Sequence, residues 1–268
     1  MPSLFKHTDK PAQNVALAMY EAAANSRSSS RNYLGMSQIG HECARYLWLG
    51  FRGYKPMPID GKAIMIFRLG DRVEEEVVHH LKLAGYRVEG QQDGFEDFTG
   101  LFRGHCDGII HGVTSQAHIL EIKSANDNSW KAFKEKGVKE KSATYFAQAQ
   151  CYMGYSGLTR ALFVIHNKNN SEIYTERLYF DEEVFLSLRG RAKSIITSNK
   201  MPDPVNGFAC RWCDQRLNCE GEIMADKVCG TCKWMDFDPN TVRRCLHPNH
   251  PFELKQWGVC CPDWQIAT

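Results

Sequence analysis

No apolar run in this sequence reaches membrane-spanning length, so no helical span is expected from it. The opening residues, MPSLFKHTDKPAQ, lack the basic-then-apolar build of an export signal, and the expected compartment is the cytoplasm. Charge of neither sign dominates: 33 Lys and Arg against 31 Asp and Glu leave a formal net charge of +2. A bulk basic field is therefore excluded as evidence for a nucleic-acid partner, and any such reading must come from local patches and from a site. No internal repeat is evident, which sets repeat architectures aside. The remaining composition is that of an ordinary globular chain, 43% hydrophobic and 24% charged over 268 residues, suited to one domain with an appendage.

Cysteine, by contrast, is plentiful. The 11 cysteines crowd toward the C-terminus in C-x-x-C pairs, which in a reducing compartment points to metal ligation before disulfides.

Periodicity predicts an amphipathic helix over Pro11 to Arg27, ending in a serine-rich stop. A second helix is expected from Ser37 as N-cap, with Ile39, Cys43, Leu47 and Phe51 along one inward face. A third, from about Gly61 to Ala84, carries Glu74, Glu75 and Glu76 in its middle, two of them ordinary surface residues. Further on, the lysine-rich run Lys131 to Lys141 reads as a solvated face or a phosphate contact, and a helix follows from Ser142 to Tyr155. Strands Ala161 to His166 and Ile173 to Phe180 precede a helix from Asp181 to Ser198, and Lys200 to Gly207 forms a proline-broken linker.

The centre of the chain is Gly104 to Ser124, GHCDGIIHGVTSQAHILEIKS. It reads as two neighbouring strands, Gly104 to Val113 and Ala117 to Lys123, joined by a polar turn. Strand side chains alternate faces, so Glu121 and Lys123 share one side while Leu120 and Ile122 face the core. Asp107 on the preceding strand can meet them. Two carboxylates and an ammonium then converge on a polar site, which is the donor set of a divalent cation with a lysine beside it. An isolated E-x-K is also what an ordinary strand-face ion pair looks like.

Asp107 followed by Glu121-Ile122-Lys123 resembles the D…E-x-K arrangement of the PD-(D/E)xK nuclease superfamily. Gly70-x-x-x-Glu74 upstream and Gln148-x-x-x-Tyr152 downstream occur in the order seen in its RecB-like branch. Cys43 ahead of the core, with Cys210, Cys213 and Cys219 after it, is similar to the iron-sulfur subgroup: CRISPR-adaptation exonucleases, the AddB recombination nuclease and related phage exonucleases. The resemblance covers roughly Ser37 to Glu220, and many members have histidine where Glu74 stands. It implies an α/β fold, a mixed central β-sheet flanked by helices in a restriction-endonuclease-like core, with a cysteine-rich, metal-bound C-terminal extension. It also implies a DNA exonuclease using Mg2+ or Mn2+. Asp107, Glu121 and the Ile122 carbonyl would hold the cation, with Glu74 a direct or water-mediated ligand. Lys123 would orient or activate the attacking water, while Gln148 and Tyr152 position Lys123 and the DNA backbone. Because these charges serve the site, replacing Lys123 or Asp107 is expected to leave folding largely intact.

Cys43, Cys210, Cys213 and Cys219 would hold a [4Fe-4S] cluster. The rival is a zinc ribbon from Cys210, Cys213, Cys229 and Cys232, which leaves Cys43 and Cys219 unexplained. A second set, Cys229, Cys232, Cys245 and Cys260, with Cys261, His247 and His250 nearby, suits a zinc ion, against the alternative of a disordered tail. Cys106 and Cys151 read as core residues, and His79, His80 and His118 as non-ligands. The expected layout is an N-terminal helical segment 1–36, a nuclease domain 37–220 and a zinc module 221–268. Expected partners are DNA and a recombination or replication protein, and no membrane. The competing class is a non-catalytic DNA-binding adaptor on the same fold.

Overall fold

The computed structural model describes residues 11–26, 33–97, 99–237, 243–248 and 261–268. Helix α1 (Pro11–Asn25) packs on α3 (Gly61–Leu83), with α2 (Ala44–Arg52) between them in sequence. The strands are β1 (Leu34–Gly35), β2 (Arg87–Glu89), β3 (Gly94–Glu96), β4 (Phe102–His105), β5 (Gly108–His111) and β6 (His118–Ala125). Helices α4 (Asp127–Lys141) and α5 (Ala143–Ser156) lead to β7 (Arg160–Asn167), β8 (Ile173–Tyr179) and α6 (Glu182–Thr197). Short α7 (Arg216–Glu220) precedes the hairpin of β9 (Met235–Phe237) and β10 (Arg243–Cys245).

The main sheet has five strands in the order β2-β5-β6-β7-β8. It is mixed: β6 and β7 are parallel, and the other neighbours are antiparallel. A parallel pair needs a long crossover, which α4 and α5 provide. Strand β6 separates two apolar regions. Leu120 and Ile122 pack with Val77 and Val78 of α3, while Ile119 and Ala125 belong to the larger core with Trp130, Phe133 and Cys151. This is the expected mixed α/β arrangement of a sheet flanked by helices.

Two expectations need correction. The strand read from Gly104 to Val113 breaks at Cys106 and Asp107: β4 pairs with β1 and β3 in a separate three-stranded sheet, and only β5 joins β6. Apolar alternation continues across the break, so the pattern hides the change of sheet. Ser37 does not cap α2 but lies in the 3-10 turn Met36–Gln38. The N-cap is Cys43, whose thiol accepts the Tyr46 N–H. The lysine run 131–141 has the solvated face expected of it, every lysine being exposed, and it lies on a helix. Trp130, Phe133 and Val138 form its buried face, and the helix kinks at Gly137, where φ is +75°.

The C-terminal residues share the main core. Met235, Phe237 and Ala267 are buried in it, the Arg52 guanidinium donates to the Cys232 carbonyl, and the Tyr54 hydroxyl donates to the Ala267 carbonyl. No described helix is long and apolar enough to cross a membrane.

Candidate active site

Strand alternation on β6 delivers Glu121 and Lys123 to one face, as read from the sequence. The Lys123 ammonium lies 2.7 Å from Glu121 Oε2 and 3.7 Å from Asp107 Oδ2, bridging the two carboxylates. Asp107 sits in the gap between β4 and β5, yet it is fixed to β6: its Oδ2 accepts the Ile122 N–H at 2.6 Å. The Ile122 side chain is buried on the opposite face of the strand, and its amide is the group engaged by Asp107.

Glu121 is 0% exposed. Burial pushes its carboxyl above the usual carboxylate range, Asp107 and Glu74 add to that, and Lys123 opposes it. Burial pulls the Lys123 ammonium down, but Glu121 and Asp107 more than offset this and hold it above the ordinary lysine range. It is therefore a fixed cation at neutral pH. Glu121 Oε1 is buried with no hydrogen-bond partner among the described residues. An unsatisfied buried acceptor costs roughly 1–3 kcal/mol, so such an atom calls for an explanation. As the side chains stand, no group of three or more His, Cys, Asp or Glu among the described residues is arranged to hold a metal ion. The donor chemistry nonetheless fits a hard cation: carboxylate oxygens, one of them unpartnered, and a deficit of positive charge that Lys123 alone does not cover.

The three consecutive glutamates of α3 separate cleanly. Glu75 pairs with Arg72 at 2.6 Å and Glu76 lies 3.4 Å from His80, both on the exposed side. Glu74 is half-buried. Its carboxyl is raised by burial and then by the charge of Asp107, with the Gln92 amide acting the other way.

Gln148 and Tyr152 share a face of α5, and Gln148 Nε2 donates to the Tyr152 hydroxyl at 3.0 Å, both buried. The ring fits because Gly104 of β4 has no side chain: a Cβ there would lie 2.5 Å from the Tyr152 ring. Burial raises the phenol, and Glu121's charge raises it further, so it stays neutral. The hydrogen bond of Lys123 goes to Glu121, and the Tyr145 ring centroid lies 5.5 Å from its Nζ. Sequence reading missed Tyr145, although it lies one turn before Gln148. It also missed Gln92, whose amide donates to Glu74 Oε1 at 2.9 Å.

Cys43, Cys210, Cys213 and Cys219 line one cavity of about 600 Å³, to which Cys229 and Cys232 do not contribute. Their thiols have local contacts: Cys210 with the Val205 carbonyl at 2.9 Å, Cys219 accepting from Arg45 at 3.5 Å. Cys229 and Cys232 bracket a 3-10 turn, Cys245 lies on β10, and Cys260 falls outside the described residues. Cys106 and Cys151 are free and fully buried, with burial pushing both thiols up to about 12, which suits core residues and not ligands.

No family model matches the sequence, and no curated protein matches it. Among solved structures, the chain is similar to an alkaline exonuclease (LHK-Exo) from Laribacter hongkongensis at 14% identity and a TM-score of 0.45, covering 67% of this chain and 90% of that one. It is similar to the protein SSO0001 at 16% identity and a TM-score of 0.48, covering 78% and 96% respectively. It is also similar to a phage-related exonuclease from Haemophilus somnus 129PT at 17% identity and a TM-score of 0.41, covering 70% and 85%. With all three TM-scores below 0.5, the functional reading rests on the side chains of the site.

Proposed function

We propose that this chain is a divalent-metal-dependent DNA nuclease of the PD-(D/E)xK kind, in its RecB-like iron-sulfur branch, and that it acts as an exonuclease in recombination, replication or phage DNA processing. The observation that carries the reading is Glu121: a fully buried carboxylate, beside Asp107 and a fixed Lys123 cation, with one oxygen left without a partner among the described residues. A surface ion pair has no use for such burial, whereas phosphodiester hydrolysis needs a dry, preorganised cluster of charge.

Asp107, Glu121 and Glu74, with the Ile122 carbonyl, would hold Mg2+ or Mn2+, which supplies charge neutralisation at the phosphate and acidifies water. Lys123 keeps its proton, so it acts as a donor: it orients water and stabilises charge developing on the phosphate. Asp107 keeps β5 and β6 in register through the Ile122 amide. Tyr152 and Gln148, neutral and hydrogen-bonded to each other, close the site from α5 and offer polar contacts to the DNA backbone.

End-labelled single- and double-stranded DNA, incubated with purified protein plus Mg2+ or Mn2+, should be digested from its ends, and EDTA should stop the reaction. Asp107→Asn should lower the rate by about 10²–10³-fold. An unchanged rate in EDTA, or in that variant, would end the assignment.

For the cysteines we infer a [4Fe-4S] cluster on Cys43, Cys210, Cys213 and Cys219, supported by the single cavity they line, and a zinc ion in residues 221–268 on Cys229, Cys232, Cys245 and Cys260. The corresponding division along the chain is a helical segment 1–36, a nuclease domain 37–220 and a zinc-binding stretch 221–268 whose buried side chains join the nuclease core. Anaerobically purified protein should be brown, with iron and acid-labile sulfide. Cys43→Ala should bleach it and keep zinc, while Cys229→Ala should lose zinc and keep the colour. Colourless wild-type protein in which Cys210 and Cys229 variants lose the same metal would show that one zinc ribbon uses both pairs.

A further inference from the structure

Glu74 is the weakest member of the proposed ligand set. It is a long side chain on a half-buried helix face, and holding such a side chain in one rotamer costs up to roughly 1.5–2 kcal/mol of entropy. Something must aim it. The group in contact is Gln92, in the loop between β2 and β3, whose amide donates to Glu74 Oε1 at 2.9 Å.

Two features make this more than a passing surface contact. Gln92 has φ of +62°, a left-handed conformation that a non-glycine residue adopts only when its surroundings impose it. The surroundings are those of the catalytic aspartate: Gln92 N–H donates to the Cys106 carbonyl at 3.0 Å, and Cys106 N–H donates back to the Asp93 carbonyl at 3.2 Å. Cys106 is fully buried and immediately precedes Asp107. One residue is thus tied through its backbone to the neighbour of Asp107 and through its side chain to Glu74. Helix α3 and the β4–β5 junction, which belong to different parts of the fold, are coupled through it.

We propose that Gln92 is the positioning residue for Glu74: it holds one carboxylate oxygen so that the other is presented toward Asp107, and so sets the spacing between the two ligands. This rests on the nuclease reading for the identity of the ligands, and its test separates the two. Mn2+ binding to the full-length protein without DNA, followed by electron paramagnetic resonance, gives a readout independent of cleavage. Gln92→Ala should weaken Mn2+ binding about tenfold, the usual range for a group that orients a ligand, and should raise the Mn2+ needed for half-maximal digestion by the same factor. The rate at saturating Mn2+ should stay within about threefold of wild type. Gln92→Gly, which relieves the left-handed backbone but removes the amide, should behave like Gln92→Ala. Gln92→Asn retains a shorter amide and the tolerance of left-handed φ, and should recover part of the affinity. In a Glu74→Ala background, Gln92→Ala should have no further effect on Mn2+ binding, which a merely structural role would not produce.

Wild-type Mn2+ affinity in Gln92→Ala, or effects of Gln92→Ala and Glu74→Ala that add in the double variant, would overturn the positioning role and leave the nuclease reading standing. Wild-type protein that binds no Mn2+ would overturn both. Protein that binds Mn2+ with the expected Gln92 dependence but digests no DNA would retain the positioning role and remove the nuclease.

Discussion

Lys123→Ala should abolish digestion and, unlike a typical active-site truncation, should also destabilise the metal-free protein. The rate loss follows from removing the one cation held against Glu121 and Asp107, and is expected to be about 10²–10³-fold. The stability loss follows from what is left behind: Glu121, fully buried, keeps its desolvation and loses its ion pair. Breaking a buried pair by removing one partner costs about 3–5 kcal/mol, which for a chain of this size lowers Tm on the order of 10 °C. The pH dependence has a definite sign. Glu121's carboxyl is already raised by burial, and without Lys123 nothing opposes the rise. A group whose folded pKa exceeds its unfolded value contributes stability that is full below the unfolded pKa and is lost as pH climbs through the folded one. The Tm gap between variant and wild type should therefore open as pH climbs through about 8, where the wild-type carboxyl loses its proton and the variant's keeps it, and Mn2+ should narrow the gap at pH 9 by giving the carboxylates another cation. A variant as stable as wild type at pH 9, or one that still digests DNA at the wild-type rate, would mean that this triad is not the centre of the molecule.

The parts of this site that were legible in the sequence are those fixed by local geometry. Alternation along one strand is enough to place Glu121 and Lys123 together and Leu120 and Ile122 opposite, because strand period does not depend on the rest of the fold. The α3 helix was equally legible from its spacing, as was the surface character of two of its three glutamates. What the sequence could not show is set by tertiary partners. The chain from Gly104 to Val113 carries one continuous β pattern but serves two sheets, and only pairing reveals the break that frees Asp107 to reach Ile122. The lysines of 131–141 dominate the composition of α4 and hide an apolar face of three residues, on a helix that Gly137 bends partway. Gln92 gave no signal beyond membership of a Gly-Gln-Gln-Asp-Gly turn: the composition announces a loop, and the direction in which the side chain is aimed depends on where β4 ends. Burial depth was also invisible. An E-x-K on a half-exposed strand and one whose glutamate is fully buried read the same, although the first is an ordinary surface pair and the second requires an explanation for each oxygen.

Phe237→Ala should have an effect on stability as large as Lys123→Ala, through apolar packing alone. Phe237 lies on β9 in the C-terminal residues, is 1% exposed, and its ring centroid sits 4.9 Å from that of Phe51 on α2. The Arg52 guanidinium stacks 5.4 Å from the same ring and 5.2 Å from Trp48, and it also donates to the Cys232 carbonyl at 2.6 Å. Arg52 is itself fully buried, with Nε and Nη1 lacking partners among the described residues, and burial lowers its guanidinium to about 10. Such a cation depends on the aromatic faces around it, so removing one of them leaves both a cavity and a less compensated charge. Deleting the ring should cost about 3–5 kcal/mol. The consequence for organisation is sharper than the magnitude. If residues 221–268 melted as an independent zinc module, Phe237→Ala would lower a separate transition and leave that of the nuclease core in place. Since Phe237, Met235 and Ala267 belong to the same core as Trp48, Phe51 and Tyr54, calorimetry should instead show the main transition itself moving down, with digestion activity lost at the same temperature. Two transitions, with only the smaller one shifted, would show that the C-terminal residues dock on the core without stabilising it.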